Sequence, residues 1–392
     1  MRSARARRLP DLPLEGLLWI VLAMACAGAA EPPTTPAAEP QYDWGIAYYA
    51  SYDNGLERAG PIVLQRITEG VKTGRQVAAF QVDYTDTQGM RRYAITTGGV
   101  TETRVKSDDS ANEDELVAYL TWFTETCRCK RYALVLLDHG GRLDEMCLDE
   151  RPDTPDQLWM SGRVLGEKLR KFKERMNGRW ELLFFQQCGR GALENLYSFR
   201  GTAEYLMFSP AKIGAPNSYY TALHQWLATA PEATGDKVAE MIAAQDTDYV
   251  IYACLKSSVL DDLPRRLDAA LAAFAGKPDL APVAPLPPPV YTDNGESTRD
   301  ARILLEQFAA KNAVGAAEVT AFTRWLQENL VVWYQARTAA RVRPLCAGVT
   351  LFAPANHEEA ARYKDLALYK ACRLGPFWTT LFPAPRAAAH NR

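Results

Sequence analysis

A thiol and an imidazole, each flanked by glycine and each closing an apolar run, are the most reactive pair this chain offers. Tyr132-Ala133-Leu134-Val135-Leu136-Leu137 leads into Asp138-His139-Gly140-Gly141. Leu182-Leu183-Phe184-Phe185 leads into Gln186-Gln187-Cys188-Gly189-Arg190-Gly191, so Cys188 follows His139 by 49 residues. A free thiol has a pKa of about 8.5, and only about 3% of it is thiolate at neutral pH. An imidazole beside it can take the proton and later give it to a leaving amine. Neighbouring glycines let backbone N–H groups approach a developing oxyanion. Taken singly, a Cys at a strand end is more often a small buried hydrophobe, and a His-Gly pair more often a plain turn. At two strand ends together, they read as a nucleophile and its base.

The two runs must lie side by side for that pair to meet, and the rest of the chain supplies the setting. Residues 44–49 form an apolar run before the turn signal Asp53-Asn54-Gly55. Residues 77–82 and 92–97 are further strand candidates. Over 113–126, Leu116, Tyr119, Leu120 and Phe123 fall on one helical face, with Ser110 and Glu113 as a capping box. A second helix is expected over 159–176 from Leu165, Leu169 and Phe172, closed by Asn177-Gly178. Residues 132–137 and 182–185 are continuous apolar runs of the kind buried on both faces. Strands alternating with helices predict an α/β fold, a mostly parallel sheet with helices on both faces. Sites in such sheets lie beyond the carboxyl ends of the strands.

The 392 residues carry 45 Lys+Arg against 47 Asp+Glu, and 47% are hydrophobic. That balance gives no electrostatic footprint for nucleic acid. A single apolar run approaches spanning length, which excludes a polytopic membrane protein. It is Leu17-Leu18-Trp19-Ile20-Val21-Leu22-Ala23-Met24-Ala25, preceded by Arg2, Arg5, Arg7 and Arg8 and followed by Ala27-Gly28-Ala29. Residues 1–29 therefore read as a secretory signal peptide. Cys26 after Leu22-Ala23-Met24-Ala25 gives an imperfect lipoprotein box, so a lipid anchor at Cys26 is the expected membrane link, if there is one. Export predicts a periplasmic or extracellular location. Residues 30–41 form a Pro-rich tether and 278–290 a Pro-rich linker. Between them lies a core over 42–277; 291–383, expected as helix first and strand later, completes the fold, and 384–392 is a tail.

The run around Cys188 is similar to the caspase signature Q-A-C-[RQG]-G, whose His lies about 50 residues upstream. Gln186, Cys188 and Gly189 match it; Gln187 and Arg190 do not. More broadly, the chain resembles the clostripain-like cysteine peptidases, which share a fold and dyad with caspases, legumains and gingipains. The resemblance is carried in order by Trp44 through Asp53-Asn54, by Tyr132 through His139-Gly140-Gly141, and by Phe185 through Cys188 to Glu194. Gly348-Val349-Thr350-Leu351-Phe352-Ala353-Pro354, Tyr363 and Trp378 complete it. It implies a caspase-like α/β/α sandwich, with His139 as general base and Cys188 as nucleophile. It further implies the N–H groups of Gly140 and Cys188 as oxyanion hole, and a peptide or protein as substrate. The family usually has Asp two positions before the nucleophile, lining a pocket for Arg or Lys; here Gln186 stands there, with Ser209 as a second pocket candidate. A neutral amide cannot supply the charge-assisted contact that selects a guanidinium, unless Asp138 or Glu194 compensates; Arg190 is a further pocket candidate.

Other residues bear less weight. His224 falls in an apparent helix and reads as structural, while His357 and His390 lack a glycine-rich strand end. Four His without paired spacing give no zinc motif, and no phosphate-binding loop is present. Asp108-Asp109 and Asp261-Asp262 could bind calcium, which some relatives use, but read better as solvated acids; no cofactor is expected. Cys127, Cys129, Cys147, Cys254, Cys346 and Cys372 allow 15 pairings if bridged. The loop over 142–156, where relatives often process themselves, holds Arg142 and Arg151. Two functions follow: an exported cysteine endopeptidase, or a catalytically silent relative that binds partners. Retained dyad and glycines favour the first, and Gln186 the second.

Overall fold

Nine strands make the central sheet of the protein, seen in a computed structural model. It describes residues 39–85, 89–150, 158–176, 178–275, 277, 280–283, 285–293, 295–337 and 347–384. The expected leader with Cys26, most of the tether, Arg151, Cys346 and nearly all of the tail lie outside these residues. From Pro40 onward the described residues form one compact unit. In chain order it runs β1 (Tyr42–Ser51), α1 (Ala59–Gly70), β2 (Gln76–Asp83), β3 (Arg91–Thr96), β4 (Gly99–Arg104) and α2 (Glu113–Thr126). Next come β5 (Cys129–Leu137), β6 (Glu145–Asp149), β7 (Leu158–Ser161), α3 (Gly162–Lys173), β8 (Arg179–Gln186) and α4 (Leu193–Ser198). Then follow β9 (Tyr205–Phe208), α5 (Tyr220–Leu227), α6 (Gly235–Gln245), β10 (Ile251–Lys256) and α7 (Leu263–Ala272). The remainder includes β11 (Tyr291–Asp293), β12 (Glu296–Asp300), α8 (Ala301–Asn312), α9 (Ala316–Trp325), β13 (Val331–Ala336) and β14 (Thr350–Phe352).

The sheet order is β13-β10-β9-β8-β5-β1-β2-β3-β4. Its central pairs β2–β1, β1–β5, β5–β8 and β8–β9 are parallel, with antiparallel strands added at both edges. This is the expected mostly parallel α/β sandwich. Alternate residues of β5 and β8 enter two separate cores. Leu134, Leu136, Leu183 and Phe185 pack with α2, α3 and α4 on one side. Ala133, Val135, Leu137, Leu182 and Phe184 pack with α1, α5 and α6 on the other. Burial on both faces is why these strands read as unbroken apolar runs.

Three local expectations are corrected. The helix expected over 159–176 begins at Gly162, because Trp159 and Met160 pair with Leu148 and Met146 as strand β7. Ser161 then caps the helix, its hydroxyl accepting from the Val164 N–H. Ser110 and Glu113 do not form a capping box on α2. Asn112 accepts from the Asp114 N–H instead, while Ser110 is bound to Asp149 and Glu113 accepts from the Ser161 N–H. The C-terminal portion opens with the β11–β12 hairpin rather than a helix; strands of three and five residues are too short to show a period. Cys127, Cys129, Cys147, Cys254 and Cys372 are free thiols.

His224 is structural, as expected. It is fully buried on α5, with Nδ1 3.0 Å from Gln76 Oε1 and Nε2 3.1 Å from the Tyr48 hydroxyl. Because Gln76 Oε1 can only accept, Nδ1 carries the proton and Nε2 accepts from Tyr48, a neutral ring. Burial pulls its pKa down to about 3. The unfolded chain protonates this ring near pH 6.5 and the folded one does not, so its contribution is full above that pH and drains away toward pH 3. Urea denaturation of the wild type should therefore show about 2 kcal/mol of His224-dependent loss between pH 7 and pH 5. His224→Gln should lack that increment; equal losses in both proteins would refute it.

Candidate active site

Leu137 of β5 is registered opposite Gln186 of β8, and His139 and Cys188 each lie two residues farther on. Neighbouring parallel strands thus deliver the two candidates to adjacent positions beyond the sheet, His139 exposed and Cys188 half-buried. No hydrogen bond joins imidazole to thiol among the described residues, a looseness common in sites awaiting substrate. The two loops nevertheless touch. An added Cβ at Gly140 would stand 2.1 Å from the Cys188 carbonyl oxygen and 3.1 Å from Arg190 Nε. Nothing larger than glycine fits there.

The His loop is fixed from below. The Asp138 carboxylate accepts from Asn54 Nδ2 at 2.9 Å and from the Leu148 N–H, and Asn54 also donates to the Leu148 carbonyl at 3.0 Å. The turn after β1 is thereby stapled to the strand end that carries His139. Its carboxylate is taken up by Asn54 and the Leu148 N–H, so it does not compensate for Gln186. Burial holds its carboxyl well above the usual range.

The Cys loop turns at Gly189, whose φ of +67° is the left-handed conformation that glycine accepts. Its N–H donates to the Ala211 carbonyl at 3.0 Å and that of Arg190 to Ser209 at 2.8 Å. The Tyr291 ring fills the space where a Gly189 side chain would be, 2.2 Å from an added Cβ. The Tyr291 hydroxyl donates to the Gly140 carbonyl at 2.9 Å. One residue of the β11 hairpin therefore contacts both loops. Sequence reasoning missed it, since a lone Tyr after a Pro-rich stretch carries no signal.

Desolvation by the surrounding loops acts on both candidates, even though His139 keeps exposed surface. It lowers the His139 pKa, against the opposing fields of Glu150 and Asp293. It raises that of Cys188, offset by the Ile213 N–H at 3.4 Å from Sγ and by Arg190 and Lys212, and reinforced by Asp293. Both shifts favour a neutral imidazole and a thiol over an ion pair.

The pocket candidates are all held internally. Gln186 is buried; its amide donates to Asn217 Oδ1 at 2.5 Å and to the Tyr220 hydroxyl at 2.7 Å, and accepts from Tyr219 at 2.6 Å. Asn217 in turn donates to Asp246 at 2.6 Å. Ser209 is fully buried, its hydroxyl turned back to the Ala211 carbonyl at 3.0 Å. Glu194 is buried against the Phe352 N–H, and burial raises its pKa to about 8. Arg190 is no pocket arginine: it is 1% exposed, and its guanidinium faces four backbone carbonyls. Arg142 is half-buried, its N–H bound to Glu145 and its carbonyl to Arg190. No cluster of three His, Cys, Asp or Glu suited to a metal occurs among the described residues.

The clostripain family (peptidase C11) model matches residues 64–274, more than half of the chain. Of solved structures, an inactive zymogen C11 protease from Parabacteroides distasonis is similar at 18% identity and TM-score 0.64, covering 86% of this chain and 99% of that one. A secreted C11 cysteine protease from Bacteroides thetaiotaomicron, bound to an irreversible peptide inhibitor, is similar at 16% identity and TM-score 0.62, covering 84% and 99%. At these identities the likeness is one of fold. Among curated protein sequences none matches.

Gly140→Ala should push the two loops apart and slow both peptide hydrolysis and alkylation of Cys188 by at least about 100-fold, the penalty of a misplacement near 1 Å. Gly55→Ala, where an added Cβ meets nothing within 4 Å, serves as the control. Equal rates for both variants, with circular dichroism showing both folded, would refute the steric argument.

Proposed function

This chain belongs to the clostripain family of cysteine peptidases, and on that footing we propose that it is an exported endopeptidase using Cys188 as nucleophile and His139 as base. The reading is carried by the register of Leu137 with Gln186, from which His139 and Cys188 are equally displaced. The Cys188 thiol gives its proton to His139 as Sγ attacks the substrate carbonyl carbon. The C–N bond then breaks, and the imidazolium returns that proton to the leaving amine. Water adds to the resulting thioester, again through His139, releasing the acid and restoring the thiol. The N–H groups of Gly140 and Cys188 serve the oxyanion at both stages. A resting pair that is neutral suits base-assisted attack better than a standing ion pair.

Specificity follows from Gln186. Its amide is engaged with Asn217, Tyr219 and Tyr220 and carries no charge, so it cannot anchor a guanidinium or an ammonium. The acyl-side pocket therefore does not select Arg or Lys by charge. Export is supported by the Arg-rich, apolar N-terminus, with Cys26 as the alternative point of lipid attachment, and by the secreted relative. Among the described residues no helix is long and apolar enough to cross a membrane. The peptide inhibitor held by that relative supports a peptide or protein as substrate. The chemistry as written needs no cofactor. The neutral Gln186 also favours a second reading, a silent relative that binds partners through the same fold.

Labelling with a thiol-directed peptide electrophile separates the two. Wild-type Cys188 should react about 100-fold or more faster than an ordinary exposed thiol, the range of general-base assistance, and Cys188→Ala should not be labelled. A rate no faster than that of the ordinary thiol sinks the peptidase reading. In a peptide library, Arg and Lys on the acyl side should show less than about tenfold advantage over neutral residues, since the charge-assisted contact, roughly 1.5–3 kcal/mol, is missing. A strong Arg preference would contradict the argument from Gln186.

A further inference from the structure

Arg190 is the largest charged side chain buried among the described residues, 1% exposed; Asp144 and Asp293 act on its charge, but its direct hydrogen-bond partners are not carboxylates. Its partners are carbonyl oxygens of the two catalytic loops. Nε donates to Cys188 O at 3.1 Å, Nη1 to Glu145 O at 2.6 Å, and Nη2 to Gly141 O at 2.6 Å and Arg142 O at 2.9 Å. Four of the five guanidinium N–H donors are thus aimed at two separate segments. One begins two residues after His139; the other is the nucleophile's own peptide unit. Gly140 leaves room for the planar group, since an added Cβ would crowd Nε at 3.1 Å.

We propose that Arg190 is a positioning residue for the peptidase reaction: it draws the His139 loop and the Cys188 peptide unit onto one rigid cation and so fixes the dyad and its oxyanion donors. The inference rests on the Cys188–His139 reading. A guanidinium suits the task because its donors diverge in a plane, whereas a Lys ammonium offers three donors from one atom. Ion-paired arginines elsewhere, such as Arg362 with Glu296, have their charge neutralised in direct contact. Arg190 is held directly by carbonyl dipoles, with Asp144 and Asp293 acting on its charge, and its field also reaches the thiol.

The test compares wild type, Arg190→Lys and Arg190→Met by kcat, KM and the pH dependence of Cys188 alkylation by iodoacetamide, with thermal melting to establish folding. The groups acting on the thiol are Arg190, Lys212, Asp293 and the Ile213 N–H, with Tyr291 beside it and His139 as its base; all of them except Arg190 are unchanged in both variants. Arg190→Lys should lower kcat about tenfold or more with KM and pH profile near wild type, because the charge stays and the span is lost. Arg190→Met should lower kcat further and move the apparent thiol pKa upward by roughly one pH unit. A merely structural role would reduce activity in proportion to stability and leave the profile in place; that result, or wild-type kinetics in a folded Arg190→Met, overturns the proposal. If Arg190→Met does not fold, Arg190→Lys decides: wild-type kcat overturns it, and a fall in kcat at unchanged melting temperature sustains it. Slow alkylation of wild-type Cys188 itself would instead overturn the dyad reading.

Discussion

Two parallel strands running about 4.8 Å apart deliver whatever follows them to the same place. In this protein β5 and β8 are those strands, and the site exists because their register is fixed. Leu134, Leu136, Leu183 and Phe185 fill one core, while Ala133, Val135, Leu137, Leu182 and Phe184 fill the other. A slip of one residue would exchange the two sets and carry Cys188 to the opposite side. The apolar packing that holds the sheet together is thus also what aims the chemistry, and the positions of Gln186 and Gln187 show the same alternation. Gln186 reaches Tyr219 and Tyr220 on one side, and Gln187 reaches Cys147 on the other.

Long-range order beyond the strands is supplied by polar groups. Asn54 and Asp138 join the turn after β1 to the His loop, Arg190 joins the His loop to the Cys loop, and Gln186, Asn217 and Asp246 form a third network. Removing a charge from water costs roughly several kcal/mol unless hydrogen bonds replace the solvent. Each of these groups meets that demand with backbone carbonyls, amides or a neutral neighbour. The loops are therefore held by many directional bonds rather than by bulk, which suits segments rich in glycine that bury little apolar area.

Much of this was legible in the sequence where burial leaves a pattern. The core strands announced themselves as unbroken apolar runs, and α2 was readable to its ends from Leu116, Tyr119, Leu120 and Phe123. His139 and Cys188 stood out because each closes such a run beside glycine. What escaped was short, polar or cooperative. The β6–β7 and β11–β12 hairpins are too brief for periodicity, and Trp159 and Met160 were absorbed into a helical pattern that Ser161 interrupts. Arg190 looked like a pocket residue because sequence gives its neighbours along the chain, not the four carbonyls that converge on it. Ser110 and Glu113 had cap spacing, but each found a stronger partner across the fold.

Tyr291 sets an order of events. It bears on Gly140 through its hydroxyl and on Gly189 through its ring, yet it lies beyond the last helix of the central body and a Pro-rich stretch. During synthesis from the N-terminus, nucleophile and base emerge long before the residue that braces their loops. A nascent chain that has passed Cys188 but not Tyr291 has its reactive groups without their final support. The connectivity of the fold thus makes completion of the active centre wait until about a hundred residues beyond the nucleophile have been made, a form of timing written into the order of the residues.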